Sequence, residues 1–294
     1  MKLNWQSKLV LLAVLPFAGA ETVLLAHMWA VSDWPAAVGT LGLSLLFGLA
    51  VLQLRAATPA GAFTGTAIAI CLCFSTMTFS PGKAVPYAPW RSALIPLLAL
   101  FALTFLATRL GREHKERMGT AERRQGRNAA QVAANLGVAA IACSDPAQAW
   151  LSGTGWFSPA LFFAPGLAAL AEAAADTVSS ELGQALGGRP RMLTTGRSVE
   201  PGTDGALSFV GTLGGIAAAA IVAAVGCWVL SGGWALFWIG STGGVFGLFF
   251  DSLLGATLEE RGWLNNDAVN FLSTAGAAAF ALLAMAVTAH FGAR

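Results

Sequence analysis

Residues 171–215 read AEAAADTVSSELGQALGGRPRMLTTGRSVEPGTDGALSFVGTLGG. This is a polar island in an otherwise apolar chain. Residues 166–175 are apolar enough to end a membrane helix, and then Glu172, Asp176, Ser179, Ser180 and Glu181 arrive together. Arg189, Arg191 and Arg197 follow among Gly, Pro, Ser and Thr, and at Ala206 the chain turns apolar again. Charged groups are expensive to keep at a membrane edge, so their concentration there reads as a functional site. The glycines and Thr194-Thr195-Gly196 offer backbone N–H groups and hydroxyls that suit phosphate oxygens. The acids suit a hard cation such as Mg2+, which binds through one or two carboxylates plus substrate phosphates. The stretch therefore predicts membrane helices on both sides and phosphate chemistry at a bilayer surface.

The rest of the chain agrees. Its 294 residues are 56% hydrophobic and 11% charged, whereas soluble domains are about a quarter charged. The expected fold is all-α, one polytopic transmembrane bundle over residues 1–294. A net charge of +2 says little about partners; membrane lipids are expected and nucleic acid is not. Cys71, Cys73, Cys143 and Cys227 fall in apolar stretches, and Cys71-x-Cys73 lacks metal-ligand spacing, so they read as small apolar residues. Lys2 and Lys8 precede an apolar run ending Ala18-Gly19-Ala20, which resembles a signal-peptidase site. Apolar residues resume at Thr22, so an uncleaved first helix is the expectation, with a cleaved signal as the alternative.

A span needs about 20 apolar residues. Nine runs qualify, at 8–31, 35–54, 60–79, 91–109, 128–149, 157–178, 206–230, 233–256 and 268–291, within an expected range of seven to nine. The weakest is 128–149, interrupted by Asn128, Gln131, Asn135 and Asp145-Pro146. Trp5, Trp29, Trp34, Trp90, Trp150, Trp156 and Trp263 lie near predicted ends, as interfacial anchors do. The periods are helical throughout, with no alternating strands. The loop 109–127 carries Arg109, Arg112, Lys115, Arg117, Arg123, Arg124 and Arg127. With nine spans it shares a side with Lys2, Lys8, Arg55, Arg189, Arg191, Arg197 and Arg261, leaving Lys83 and Arg91 opposite. By the positive-inside rule that side is the cytoplasm of a bacterial inner membrane, with the N-terminus and the polar site on it. Glu113, Glu116 and Glu122 in the basic loop suggest a short solvated helix.

Three polar clusters recur at cytoplasmic ends of spans. In the first, Glu172, Asp176, Ser179 and Ser180 share a helix face. In the second, Asp251-Ser252 sits inside an apolar run, where a bare carboxylate costs about 2.5–3.5 kcal/mol even on the lenient insertion scale. In the third, Asn265-Asn266-Asp267 leads into a stripe of Asn266, Asn270, Ser273 and Thr274. Any one alone could be interhelical glue; all three on one membrane face favour a site. Glycines at 211–215 are equally readable as packing or ligand approach, and those at 243–247 read as packing.

ADTVSSELG, PRMLTTGRSVEPGTDGALSFVGTLGG, DSLLGATLE and NNDAVNFLST resemble the integral membrane family that includes plant phytyl-phosphate kinase. LTFLATRLGREHKERMG and GRNAAQVAANLG resemble it too. That family is more distantly similar to phytol and dolichol kinases and to membrane cytidylyltransferases. The loop ending Glu200-Pro201 departs from it, being rich in arginine where the family is often rich in lysine. The resemblance implies a kinase that converts an isoprenyl monophosphate to the diphosphate with Mg2+ and a nucleoside triphosphate, CTP favoured. Asp176 and Asp251 would hold the metal, helped by Glu172 or Glu181. Arg189, Arg191 and Arg197 would bind phosphates. Ser179, Ser180, Thr194, Thr195, Gly196, Gly202, Thr203, Gly205 and Ser252 would contact the nucleotide. Asn135, Asn266 and Asn270 would orient the acceptor phosphate. Alternatives are a kinase of the free alcohol, a CTP-dependent cytidylyltransferase of a lipid phosphate, and a transporter.

Overall fold

The computed structural model describes residues 4–77, 88–121 and 125–292. Lys2, Lys83, Glu122, Arg123 and Arg124, which enter the charge reading above, lie outside them. Each of the nine apolar runs contains a helix, and the run 128–149 contains two. These are α1 (Trp5–Ser32), α2 (Trp34–Gln53), α3 (Pro59–Thr76), α4 (Leu94–Arg109), then, after the short α5 (Arg112–Met118), α6 (Ala129–Cys143). After α7 (Asp145–Thr154) come α8 (Ala164–Leu186), α9 (Phe209–Leu230), α10 (Gly233–Leu254) and α11 (Asn266–Gly292). Among the described residues seven helices are long and apolar enough to cross a membrane, or eight if α4 and α5, bent by 62°, count as one span.

Local chemistry sets the breaks. Thr58 caps α3 by accepting from the Gly61 N–H, with Pro59 in the first turn. Asn128 and Gln131 form a capping box that starts α6. The run predicted at 128–149 splits: α6 stops at Cys143, Ser144 is extended, and Pro146 sits in the first turn of α7. A proline has no N–H to extend the preceding helix, so α6 is left at 15 residues.

α8 is the hub, packed by α4, α6, α9, α10 and α11. Ala168, Ala169, Ala171 and Ala173 to Ala175 are buried along it. Such small side chains let neighbouring backbones come close, which drives helix association where the solvent is lipid. The neighbours answer with glycine. A Cβ at Gly211 or Gly215 of α9 would collide with the α8 carbonyls of Ser179 or Ala175, and one at Gly244 of α10 with the backbone at Ala171. Both glycine groups are thus packing surfaces.

Three sequence readings need correction. Trp29 is buried and stacks on Phe74 at 6.4 Å, not at an interface; Trp5, Trp34, Trp90, Trp150, Trp156 and Trp263 are exposed. A small strand pair exists after all, with Arg191–Met192 antiparallel to Ala206–Leu207. α5 is not solvated all round, because Lys115 is 0% exposed. Its ammonium donates to the Ala107 and Thr108 carbonyls at 3.2 and 2.9 Å, and to Glu181 of α8. One lysine therefore closes the C-terminal end of α4 and pins α5 to the hub.

The same end of the bundle is cross-tied elsewhere. The Arg127 N–H donates to the Ala56 carbonyl, and the Thr58 N–H to the Arg127 carbonyl. The Gln6 side chain donates to the Trp263 carbonyl and accepts from the Asn265 N–H, while Ser7 donates to Asp267. Removing one partner of a buried ion pair strands the other charge. Lys115→Ala should therefore destabilise the fold by about 3–5 kcal/mol, read as a large drop in unfolding temperature in detergent. An unchanged transition would mean that the pair contributes nothing.

Candidate functional site

The three polar clusters converge on one cavity of about 230 Å³ between α8, α10 and α11. α8 supplies Asp176, Ser179 and Ser180, α10 supplies Asp251 and Ser252, and α11 supplies Asn266. The segment from Pro201 to Ser208 closes another side, bringing Asp204 with it. Glu259 completes the wall.

The acids are set by helix geometry. Glu172 and Asp176 lie one turn apart on α8, so they point the same way. Glu172 is buried deeper, beneath Gly247 of α10. Asp176 and Asp251 are close neighbours at the cavity, and Ser273 stands beside both Glu172 and Asp251. Asp251 Oδ2 and Glu172 Oε1 are buried without a hydrogen-bond partner. Buried polar atoms are nearly always satisfied, so the unpaired Asp251 oxygen at the cavity leaves room for a ligand or a cation. Beyond Asp251 the helix widens into a π turn at Gly255–Glu259, a distortion often found at functional sites, and this turn carries Glu259 into the wall.

The loop over the cavity is shaped by backbone bonds. The Gly196 N–H donates to the Met192 carbonyl at 2.8 Å and the Met192 N–H to the Arg197 carbonyl at 2.9 Å, making a tight hairpin. Gly205 has φ +73°, and a Cβ there would overlap the Ala256 backbone. Only glycine lets the loop press onto the π turn. Ser208 then caps α9 by accepting from the Gly211 N–H at 3.0 Å.

The predicted site residues divide accordingly. Asp176, Ser179, Ser180, Gly202, Thr203, Gly205, Asp251, Ser252 and Asn266 line the cavity. Arg189, Arg191, Thr194, Thr195, Gly196 and Arg197 are exposed on the hairpin outside that wall. Arg191 donates to the Gly196 carbonyl at 3.0 Å. Glu181 is held by Lys115. Asn135 and Asn270 stand behind the cavity, with Asn266 donating to Asn270 and Asn270 to Asn135, each at 3.4 Å. Asp204 and Glu259 were not singled out from the sequence. Glu259 ends the DSLLGATLE motif, and that position was the available signal; Asp204 looked like any loop acid.

The family described as "Integral membrane protein DUF92" matches residues 42–278. An uncharacterized membrane protein of Methanocaldococcus jannaschii is 42% identical over 108 residues, covering 37% of this chain and 45% of that protein. An uncharacterized membrane protein of Synechocystis is 34% identical over 204 residues, covering 66% of this chain and 73% of that protein. Protein VTE6, chloroplastic, of Arabidopsis thaliana is 30% identical over 194 residues, covering 63% of this chain and 57% of that protein. No solved structure matches.

Partial burial and the neighbouring Glu260 carboxylate push the Asp204 carboxyl above its usual range. The folded state thus holds this proton more tightly than the unfolded state. The resulting stability is present below the unfolded value of about 3.9 and lost as pH rises through the raised folded value. Asp204→Asn should therefore unfold at a higher temperature than the parent at pH 7, with the gap closing toward pH 4. A constant gap across that range would contradict this assignment of the shift.

Proposed function

Because this chain belongs to the integral membrane family DUF92, matched over residues 42–278, we propose that it is a membrane kinase. It transfers a phosphoryl group from a nucleoside triphosphate, CTP favoured, to an isoprenyl monophosphate and yields the diphosphate. The observation that carries this reading is the meeting of Asp176 and Asp251, from two helices, at a polar cavity where one carboxylate oxygen has no hydrogen-bond partner. The 30% identity to the Arabidopsis protein and the motif resemblance to the phytyl-phosphate kinase family support the choice of chemistry.

The cavity suits Mg2+. Its donors are hard oxygens: carboxylates, hydroxyls and the amides of Gln184 and Asn266. Two neighbouring carboxylates repel each other, and a divalent cation relieves that repulsion. Among the described residues no three His, Cys, Asp or Glu side chains form a ready-made metal cage. Mg2+ does not require one, since it usually keeps several waters and leans on one or two carboxylates and the substrate phosphates. Asp176 and Asp251 would hold it, and bound there it would neutralise charge on the nucleotide phosphates.

The chain's own residues do the positioning. The Gly202–Gly205 segment with Ser179, Ser180 and Ser252 borders the space for the triphosphate. Asn266, steadied by Asn270, orients the acceptor. In the transfer an oxygen of the lipid phosphate forms a bond to the γ-phosphorus, the bond to the bridging oxygen breaks, and the nucleoside diphosphate leaves. The attacking oxygen is already ionised, so no strong general base is needed. Arg189, Arg191 and Arg197, exposed on the hairpin beside the cavity, serve in this reading to draw anionic nucleotide toward it.

Purified protein should convert phytyl monophosphate to the diphosphate with Mg2+ and CTP, identified by mass. A nucleotidyl-lipid with released pyrophosphate would move it to the cytidylyltransferases, and phosphorylation of free phytol alone to the alcohol kinases. Asp176→Asn and Asp251→Asn should each lose at least about 100-fold in kcat, the scale of one lost electrostatic contact in a transition state. Mg2+ with CTP should raise the unfolding temperature of the parent and leave that of Asp251→Asn unmoved. Near-normal activity in both variants would sink the metal assignment.

A further inference from the structure

A second and larger cavity, about 420 Å³, lies between α2, α3, α4 and α6. Its body is apolar, built from residues such as Phe47, Val51, Leu97, Leu100 and Phe101. From Leu97 to Arg109 its α4 wall runs about 18 Å at the helical rise, more than half of a hydrocarbon core of about 30 Å. Its mouth is charged. Among the described residues Arg55, Arg109, Arg112 and Arg127 line it with one acid, Glu116, which pairs with Arg112 at 3.1 Å. Four guanidinium groups against one carboxylate leave a strong positive excess at the end of a greasy slot. That is the complement of a single-tailed lipid with an anionic head.

Arg55 adds an independent observation. α2 ends in a Schellman motif, with the Ala56 N–H bonded to the Val51 carbonyl and the Arg55 N–H to the Leu52 carbonyl, both at 3.0 Å. The residue between these turns must be left-handed, a place that usually goes to glycine. Here it is an arginine at φ +53°, a conformation that disfavours any side chain with a Cβ. An exposed arginine held there against that preference points to use of its charge.

The groove also reaches the acid cavity. Arg127 lines the groove and donates to Thr177 Oγ1 at 3.0 Å, next in sequence to Asp176. Asn135 lines the groove, Asn266 lines the acid cavity, and Asn270 bonds to both. The two spaces share a wall of polar side chains from α6, α8 and α11.

We propose that this groove is the acceptor-binding site: the isoprenyl tail lies along α2 and α4, and its phosphate is captured by Arg55, Arg109 and Arg127, from where it reaches Asn266 and the acids past Asn135 and Asn270. The identity of the lipid rests on the function proposed above; the location does not.

The test is binding of radiolabelled phytyl monophosphate, without nucleotide, to the full chain in nanodiscs containing phosphatidylglycerol. Saturable binding is expected, resisting competition by phytol or inorganic phosphate alone and weakening with shorter prenyl phosphates. Arg55→Gly suits the left-handed position, so it should unfold at a higher temperature than the parent while binding the probe at least about tenfold more weakly, as loss of a charge-assisted contact predicts. Arg109→Gln, which also gives up the bond to the Leu54 carbonyl, should likewise weaken binding of the probe without raising the unfolding temperature. Parent-like binding in both variants, or equal displacement by phosphatidylglycerol, would overturn the site. Binding through the arginines with no turnover by any nucleotide would keep the groove and remove the kinase reading. Turnover with an unaltered lipid KM in both variants would do the reverse.

Discussion

The structure depends on one awkward helix. α8 is enclosed by five neighbours, yet it carries Glu172, Asp176, Ser179 and Glu181. Its alanines let the partners approach until their glycines touch its backbone. Close approach removes water and lipid alike, so each acid must find its own answer within the protein. Glu181 finds Lys115. Asp176 meets Asp251 at the cavity, and Glu172 lies beneath Gly247 with an oxygen unpaired. One acid is therefore spent on holding α5 in place, and the others remain available to chemistry.

The elements around α8 are tied at the end where the acids lie. Lys115 joins α5 to α4 and α8, Arg127 joins the linker before α6 to α8, and Gln6 with Ser7 joins α1 to the approach of α11. These ties are polar and mostly buried, so donor and acceptor must satisfy each other within the protein. They also join α4 and α5 to α8, and α1 to α11, at the end that carries the acids.

In the proposed reading the two cavities divide the substrates by solubility. The polar one, roofed by a loop that only Gly205 lets settle on the π turn, suits a water-borne nucleotide. The apolar one with arginines at its mouth suits a lipid that enters from the side. The asparagine line from Asn135 through Asn270 to Asn266 connects them. A membrane enzyme that joins a soluble donor to a lipid acceptor needs such a division, because neither substrate is stable in the other's medium.

What the sequence by itself determined is the list of helices and the kind of chemistry at their ends. Each of the nine apolar runs contains a helix, because hydrocarbon leaves the backbone no other way to satisfy its hydrogen bonds. Asp176 and Asp251 were visible because an acid inside an apolar run violates the pattern around it. The capping signals at Thr58 and Asn128 were local and equally readable. Partnership was not, because it depends on which helix ends lie side by side. Lys115 and Glu181 are 66 positions apart and looked like ordinary members of charged stretches. Arg191, Arg197 and Thr194 read as phosphate ligands from their residue types, and only the hairpin bonds place them on an exposed tip beside the cavity. Arg55 looked like one more positive charge until the backbone at the end of α2 put it in a left-handed conformation beside an apolar groove. Composition and period act along the chain and survive in the sequence; proximity across the bundle is set by packing, and only the tertiary structure decides it.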